Sequence, residues 1–253
     1  MKPRQLLNWV GLVVVLAVNG LANALPLNGK TTGEISDSIP TLFTPAGYVF
    51  SIWSVIYLGL LAFAWFQGRR AQATAEFQER IGYWFFLSCV LNSAWIVAWH
   101  YEQFPLTLVL MLGLLISLLT IYLRLDAGRR TVSTAESRWV YLPFSIYLGW
   151  ISVATIANVS TVLYTSGWNG APLWPEIWTA IMVMVAGVLG IAMIVLRNEI
   201  GYPLVIVWAL VGIWVARRAT PLVAYASAAT AVVVGSALVV AQTRTRSRPP
   251  VTT

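Results

Sequence analysis

The amino-acid sequence predicts an all-α fold, a polytopic membrane helix bundle. Of its 253 residues, 58% are hydrophobic and only 10% are charged, and the mean hydropathy is +0.75. Both fractions depart strongly from those of an average soluble domain. The charges are also segregated, because every Asp, Glu and Lys lies between long apolar runs or at their ends. This pattern is typical of helices that cross a bilayer.

Eight apolar runs of roughly 17 to 26 residues have the length that a membrane-crossing helix needs. They cover residues 6–25, 47–67, 81–99, 105–123, 139–164, 175–196, 200–216 and 220–242. The seventh run is the shortest, and Pro203 interrupts it near its start. The sequence therefore leaves seven or eight crossings open.

The distribution of Lys and Arg predicts that both termini lie in the cytoplasm. With eight crossings, thirteen of the sixteen basic residues fall on the side of the N-terminus, and the exceptions are Lys30, Arg217 and Arg218. Residues 22–24 resemble a signal-peptidase site, but the preceding apolar run exceeds the ~7–15 residues of a signal peptide. We therefore predict a retained first helix in a multi-pass protein of a bacterial cytoplasmic membrane.

The same charge distribution excludes several classes of function. Proton relays and ion-coupled transporters usually place ionisable groups inside the bilayer, and no Asp, Glu, Lys or Arg lies in the middle of an apolar run. One histidine, His100, cannot form a metal cluster, and one cysteine, Cys89, cannot form an intramolecular disulfide. We predict no catalytic residue and no metal site. The basic residues flank the apolar runs, which indicates membrane orientation and not nucleic-acid binding.

The longest polar connection joins the first and second helices and extends from Pro26 to Pro45. The charge count places it on the outer side. A solvated linker and a lid over a pocket are equally compatible with its composition, since long ordered loops are often binding elements.

Three of the predicted helices carry aromatic and polar side chains at helical spacing. These stripes are Phe50, Trp53 and Tyr57 in the second helix, Ser88, Asn92, Trp95 and Trp99 in the third, and Tyr147, Trp150, Ala154 and Asn158 in the fifth. An asparagine in hydrocarbon requires a hydrogen-bond partner, so the two asparagines are predicted to face the bundle interior. Each stripe alone is typical of core packing. Together they predict a cavity suited to a flat, largely apolar ligand.

These segments resemble the translocator protein/tryptophan-rich sensory protein (TspO/MBR) family. Its hallmark motifs appear here, in order, as Pro45 to Tyr57, Asn92 to Trp95 and Pro143 to Asn158. The resemblance covers residues 1–165 and implies a five-helix ligand-binding core. Residues 166–242 are then predicted to form additional transmembrane helices, and residues 243–253 a basic disordered tail.

The resemblance implies a cavity that opens toward the loop after the first helix and binds porphyrins and other flat apolar molecules. The matching pocket positions are Trp53, Asn92, Trp150 and Ala154, and the second-helix motif supplies Pro45, Gly47 and Tyr57. The stripes add Trp95, Tyr147 and Asn158 to the predicted ligand-binding residues. No cofactor is required beyond a porphyrin or haem-type ligand. In some members the paired tryptophans are linked to light-dependent porphyrin breakdown, and otherwise no enzyme activity is expected.

Two spacings depart from the family pattern. The interval from Gly47 to Trp53 is one residue short, and Pro143 lies about three residues further from Trp150 than in the family, where one residue corresponds to about 100° of helix rotation. A sterol-recognition pattern is missing after the fifth helix, so we do not expect a sterol ligand.

The leading interpretation is a sensor, carrier or regulator that binds a tetrapyrrole-like ligand. The alternatives are an uncoupled membrane transporter or exporter of hydrophobic metabolites, and an assembly partner that docks through small residues of the eighth helix such as Ala224 and Ala228. Expected partners are the lipid bilayer, a small apolar ligand and a second copy of the chain in a homodimer, but no nucleic acid. For the leading interpretation, Trp208→Phe in the extension is expected to leave ligand binding unchanged.

Overall fold

A computed structural model describes residues 2–168 and 172–246, and within these ranges the regular structure is helical with no strand. The long helices are α1 (Pro3–Ala24), α2 (Ile52–Gly68), α3 (Trp84–His100), α4 (Phe104–Leu125), α5 (Leu142–Thr165), α6 (Pro175–Arg197), α7 (Gly201–Ala216) and α8 (Pro221–Arg246). The predicted all-α polytopic bundle is confirmed, and each long helix corresponds to one predicted apolar run.

Proline and left-handed residues mark several helix boundaries. Pro3, Pro143 and Pro175 occupy the first turns of α1, α5 and α6, where a missing N–H leaves no helical hydrogen bond unmade. The last turns of α4 and α6 are followed by Asp126 and Asn198, whose φ angles are 53° and 50°. Asp and Asn accept this left-handed conformation more readily than other non-glycine residues, so they end these helices.

Six helical segments in the described ranges are long and apolar enough to cross a membrane. α3 and α7 are shorter, with 17 and 16 residues, which corresponds to roughly 24 to 26 Å of helix. Both are apolar along their length. Their length alone therefore does not decide whether they cross.

Contacts between loops show that α4 and α7 each run from one side of the bundle to the other. On one side, the Nζ atom of Lys30, in the α1–α2 loop, lies 2.5 Å from Glu102, which follows α3. Arg217, which follows α7, donates hydrogen bonds to the same α1–α2 loop. On the opposite side, Arg197 at the end of α6 pairs with Asp126 at the end of α4 at 2.9 Å. α7 thus connects the two sides despite its length.

The first five helices form a closed ring in the order α1, α2, α5, α4, α3. α7 packs against the outer face of α5, and α6 and α8 pack against α7 and against each other. Glycines permit the close approaches in this second layer. A Cβ atom on Gly149 would lie 3.1 Å from the carbonyl oxygen of Tyr202 in α7, and Gly190 in α6 faces Val234 of α8.

A buried carboxyl group lies in the turn between α6 and α7. Glu199 is 9% exposed, and its Oε2 atom accepts a hydrogen bond of 2.5 Å from the Ser145 hydroxyl of α5. The same hydroxyl oxygen accepts a bond from the backbone N–H of Tyr202. Burial raises the pKa of the Glu199 carboxyl above its usual range. The turn is therefore attached to the five-helix ring through a polar contact that the sequence pattern did not predict.

Two segments that lead directly into long helices wind differently from a regular α-helix, and one long helix extends further than predicted. Gly47–Ser51 is a 3₁₀ helix that leads into α2, and Ser137–Tyr141 is a π-helical segment that leads into α5. They lie at or beside the two spacing departures from the family motifs. α8 continues to Arg246, so residues 243–246, which were predicted to belong to the disordered tail, are helical. Residues 247–253 of that tail lie outside the described residues.

Candidate ligand-binding cavity

A cavity of about 520 Å³ lies between α1, α2 and the α1–α2 loop. A narrower space of about 60 Å³ adjoins it and extends toward α3 and α5. The two spaces share Thr32, Phe50 and Trp53 in their walls, so we treat them as the wide and narrow parts of one cavity. The volume of the wide part falls within the ~300 to 1,000 Å³ that is usual for small-molecule sites.

The cavity contains most of the predicted ligand-binding residues, but not all of them. Trp53, Tyr57 and Gly47 line the wide part, and Trp53, Pro45, Trp95, Trp150, Ala154 and Asn158 line the narrow part. Asn92 and Tyr147 line neither part. They form a hydrogen-bonded layer behind the aromatic wall.

The aromatic wall is centred on Trp53. Its ring stacks on Tyr57 with centroids 5.4 Å apart, and it meets Tyr147 and Trp150 edge to face at 6.0 and 6.2 Å. Phe50, in the 3₁₀ helix before α2, meets Trp150 edge to face at 5.9 Å. Aromatic pairs in these orientations interact favourably, and the flat faces of the rings suit a flat apolar ligand.

Two hydrogen-bond donors at this wall are buried without a partner in the described structure. They are the Nε1 atom of Trp150 and the phenolic oxygen of Tyr57. Leaving a buried polar group unpaired costs about 1–3 kcal/mol. Indole N–H donates only, so a ligand that offers an acceptor at Trp150 would remove this cost.

Asn92 connects three helices behind the wall. Its Oδ1 atom accepts a hydrogen bond of 2.8 Å from Asn19 of α1, and its Nδ2 atom donates one of 2.9 Å to the Tyr147 hydroxyl of α5. Asn92 is fully buried. Its amide therefore joins α1, α3 and α5, and it acts on the cavity by positioning Tyr147 against Trp53.

A second buried chain supports the narrow part. Trp95 donates from Nε1 to the Oδ1 atom of Asn158 at 3.2 Å, and Asn158 donates from Nδ2 to the Thr107 hydroxyl at 2.8 Å. Trp95 also stacks on Trp99 with centroids 5.4 Å apart. The chain links α3, α5 and α4 and fixes the two indoles at the base of the cavity.

The α1–α2 loop, residues 26–45, covers the cavity and is called the lid from here on. It contains a short helix, Thr32–Asp37, which Thr31 and Glu34 begin as a reciprocal capping box. The hydrogen bonds from Thr31 lower the pKa of the Glu34 carboxyl. Trp99 of α3 donates from Nε1 to the Thr32 carbonyl at 3.3 Å. These contacts support the lid interpretation over that of a solvated linker.

His100 attaches the lid to the end of α3. Its Nδ1 atom lies 2.7 Å from the Ile96 carbonyl oxygen and its Nε2 atom 3.5 Å from the Thr32 hydroxyl. Its own carbonyl accepts a bond of 3.1 Å from Asn28 of the lid. His100 does not line the cavity. Among the described residues, no group of three His, Cys, Asp or Glu side chains could hold a metal ion.

The walls of the cavity are nearly uncharged. Of the described residues that line its two parts, Asp37 at the exposed rim is the one with a formal charge. Partial burial lowers the pKa of the Arg217 guanidinium below its usual range, and the negative charge of Asp37 partly offsets this lowering. The interior therefore favours the uncharged part of a ligand.

Two side chains of the extension donate hydrogen bonds to the chain around the cavity, and the sequence predicted neither of these bonds. Arg217 donates to lid carbonyls, and Trp208 donates from Nε1 to the Val49 carbonyl at 3.1 Å. The position of Arg217 on the sparsely basic side was the one signal in the sequence. Trp208, whose substitution by Phe was expected to leave ligand binding unchanged, therefore contacts the chain directly before α2.

Comparison with known proteins gives one match. A sequence model of the family described as TSPO-like protein matches residues 5–240, a range that includes the three C-terminal helices as well as the five-helix ring. No curated protein and no solved structure gives a significant match to the chain.

Proposed function

Because the chain belongs to the TSPO-like protein family, we propose that it binds a flat, largely apolar ligand of the tetrapyrrole type beneath the lid. In this proposal it acts as a membrane sensor or carrier of that ligand. The observation that carries the proposal is the pair of unpartnered buried donors, on Trp150 and Tyr57, in the wall of an aromatic cavity. In a cavity filled by core packing alone, these donors would stay unpaired at a cost in free energy.

The residues present fit a porphyrin ring. Its faces can lie against the indoles of Trp53 and Trp150, and its ring nitrogens or a peripheral carbonyl can accept from the free N–H of Trp150. The ring nitrogens of His100 already contact Ile96 and Thr32. Recognition in this proposal therefore uses the organic ring and needs no bond from the protein to a central metal.

The test is a titration of the detergent-purified protein with protoporphyrin IX, followed by the absorbance of the porphyrin. We expect saturable binding at micromolar concentration or tighter in the parent. The variant Trp53→Phe/Trp150→Phe should bind at least about tenfold more weakly, because it loses both indole rings and with them the unpartnered N–H of Trp150. Trp174→Phe is the matched control, since Trp174 is 73% exposed and does not line the cavity.

Non-saturating uptake of the porphyrin that is identical in parent, double variant and control would contradict the proposal. Proteoliposomes then separate a carrier from a sensor. Porphyrin flux that requires the protein supports a carrier, and binding without flux supports a sensor. Illumination of the complex adds a further measurement: loss of porphyrin absorbance that needs Trp53 and Trp150 would add a catalytic activity to binding.

A further inference from the structure

The backbone of the lid is held from outside the five-helix ring by a single guanidinium group. Arg217, directly after α7, donates from Nη2 to the carbonyls of Thr41 at 2.9 Å and Thr44 at 3.2 Å, and from Nε to that of Leu42 at 3.2 Å. The Thr41 and Thr44 hydroxyls also lie 2.6 Å apart. The Leu42 and Thr44 carbonyls accept from the arginine, and the Thr41 carbonyl accepts both from the arginine and, at 3.4 Å, from the N–H of Thr44.

α7 makes two further contacts with the chain just beyond this turn. The N–H of Ala46 donates to the carbonyl of Gly212 at 3.1 Å, and Trp208 donates to the carbonyl of Val49. Gly212 has no side chain at the point of closest approach, where a Cβ atom would lie 3.2 Å from Pro45 and closer still to Val49. One face of α7 and the residue after it therefore hold residues 41–49 through hydrogen bonds to the backbone of that segment.

The segment that α7 holds is also a wall of the cavity. Thr44 and Pro45 line its narrow part, Gly47 lines its wide part, and Phe50 lines both. Phe50 also meets the edge of Trp150. A movement of residues 41–50 would therefore open the cavity beside the ring of Trp150.

We propose that Arg217 is a positioning residue for ligand binding, which holds the lid closed and thereby sets how long a ligand stays in the cavity. This proposal rests on the proposed function, because it assigns a role to the lid of that site. Lysine cannot replace the arginine, since one ammonium group does not present the planar fork that reaches three carbonyls at once. The extension is then part of the binding machinery.

The first measurement does not need a ligand. Amide hydrogen exchange of residues 38–51 is compared in the parent, Arg217→Gln, Arg217→Lys and Arg218→Gln. We expect at least about tenfold faster exchange in both Arg217 variants and none of this change in Arg218→Gln. Arg218 is the matched control, because it adjoins Arg217 and lies over the ring of Trp214. Unchanged exchange in the Arg217 variants would overturn the proposal that Arg217 holds the lid closed.

The second measurement is the dissociation rate of bound protoporphyrin IX after mixing with excess lipid vesicles. We expect it to rise about tenfold in Arg217→Gln, with the association rate equal or faster and the number of sites unchanged. A loss of folded protein alone would lower the number of sites and leave the dissociation rate of the rest unaltered. Trp208→Phe, which removes the bond to Val49, should change the rate in the same direction.

The outcomes separate the two proposals. Faster exchange of the lid with an unchanged dissociation rate would show that Arg217 holds the lid but does not set how long the ligand stays bound. The inference would then fail. A parent protein that binds no porphyrin saturably would overturn the proposed function, whatever hydrogen exchange shows for Arg217.

Discussion

At the residue scale, the buried amides distinguish side chains that touch the cavity from side chains that position it. Asn158 is in the cavity wall, whereas Asn92 is behind it and bonded on both sides. Both were predicted as ligand-binding residues from the same helical spacing. Spacing places a residue on a helix face to within about one residue, or 100°, and the packing of neighbouring helices decides which side of that face meets the cavity.

Asn92→Ala is expected to lower both stability and ligand affinity. The substitution leaves donors or acceptors on Asn19 and Tyr147 unpaired, and the free energy of unfolding should fall by about 1–3 kcal/mol. Thermal unfolding in detergent measures this change, and the porphyrin titration measures affinity. Ser93→Ala is the matched control, because Ser93 donates only to the Cys89 carbonyl within α3. Equal effects of the two substitutions would contradict the interhelical role of Asn92.

At the element scale, the helices were predictable and their winding was not. The apolar runs and the prolines gave every long helix in the described ranges to within a few residues. The 3₁₀ helix Gly47–Ser51 and the π-helical segment Ser137–Tyr141 have apolar sequences that a regular helix would also accept. Both segments contact distant elements, as the 3₁₀ helix contacts α7, and such tertiary contacts can override local helix preference. These contacts cannot be predicted from the local sequence.

Packing of α7 on α5 gives a prediction for a pair of helical glycines. Gly149→Ala would place a Cβ atom 3.1–3.2 Å from the backbone of Tyr202 and from Val205, and this overpacking should cost about 1–3 kcal/mol. Gly235→Ala in α8 meets nothing within 4 Å and should be neutral or stabilising by up to about 1 kcal/mol, because alanine favours the helix. Thermal unfolding of both variants checks this, and a stable Gly149→Ala protein would argue against close α5–α7 packing.

At the scale of the whole molecule, the chain belongs to the predicted class of multi-pass membrane proteins. The sidedness of its loops follows from contacts that the charge count could not show. Arg217, an exception to that count, is held beside the lid, and Arg130 and Arg80 both bond to the exposed Glu76 on the opposite side. Those two arginines hold the pKa of the Glu76 carboxyl at about 2. Some of the basic residues that the charge count used to predict orientation thus make specific local contacts.

Cysteine labelling tests the proposed orientation, with both termini in the cytoplasm. Cys89 is buried, so the parent should react little with a membrane-impermeant maleimide. Ser38→Cys and Ala219→Cys are expected to label in intact cells, and Thr74→Cys and Thr131→Cys only after permeabilisation; all four sites are exposed. Labelling of Ser38→Cys and Ala219→Cys from opposite sides would mean that α7 does not cross the membrane.

The hydrogen bonds between the end of α7 and the lid have a consequence for the evolution of such a protein. Carbonyls of residues 41, 42 and 44 accept hydrogen bonds from a donor that lies more than 170 positions later in the chain. A shorter chain that ended after α5 would need another donor for this turn, or a different turn. The lid and the extension therefore constrain each other's sequences, and neither could be exchanged with that of a five-helix relative unless the other changed with it.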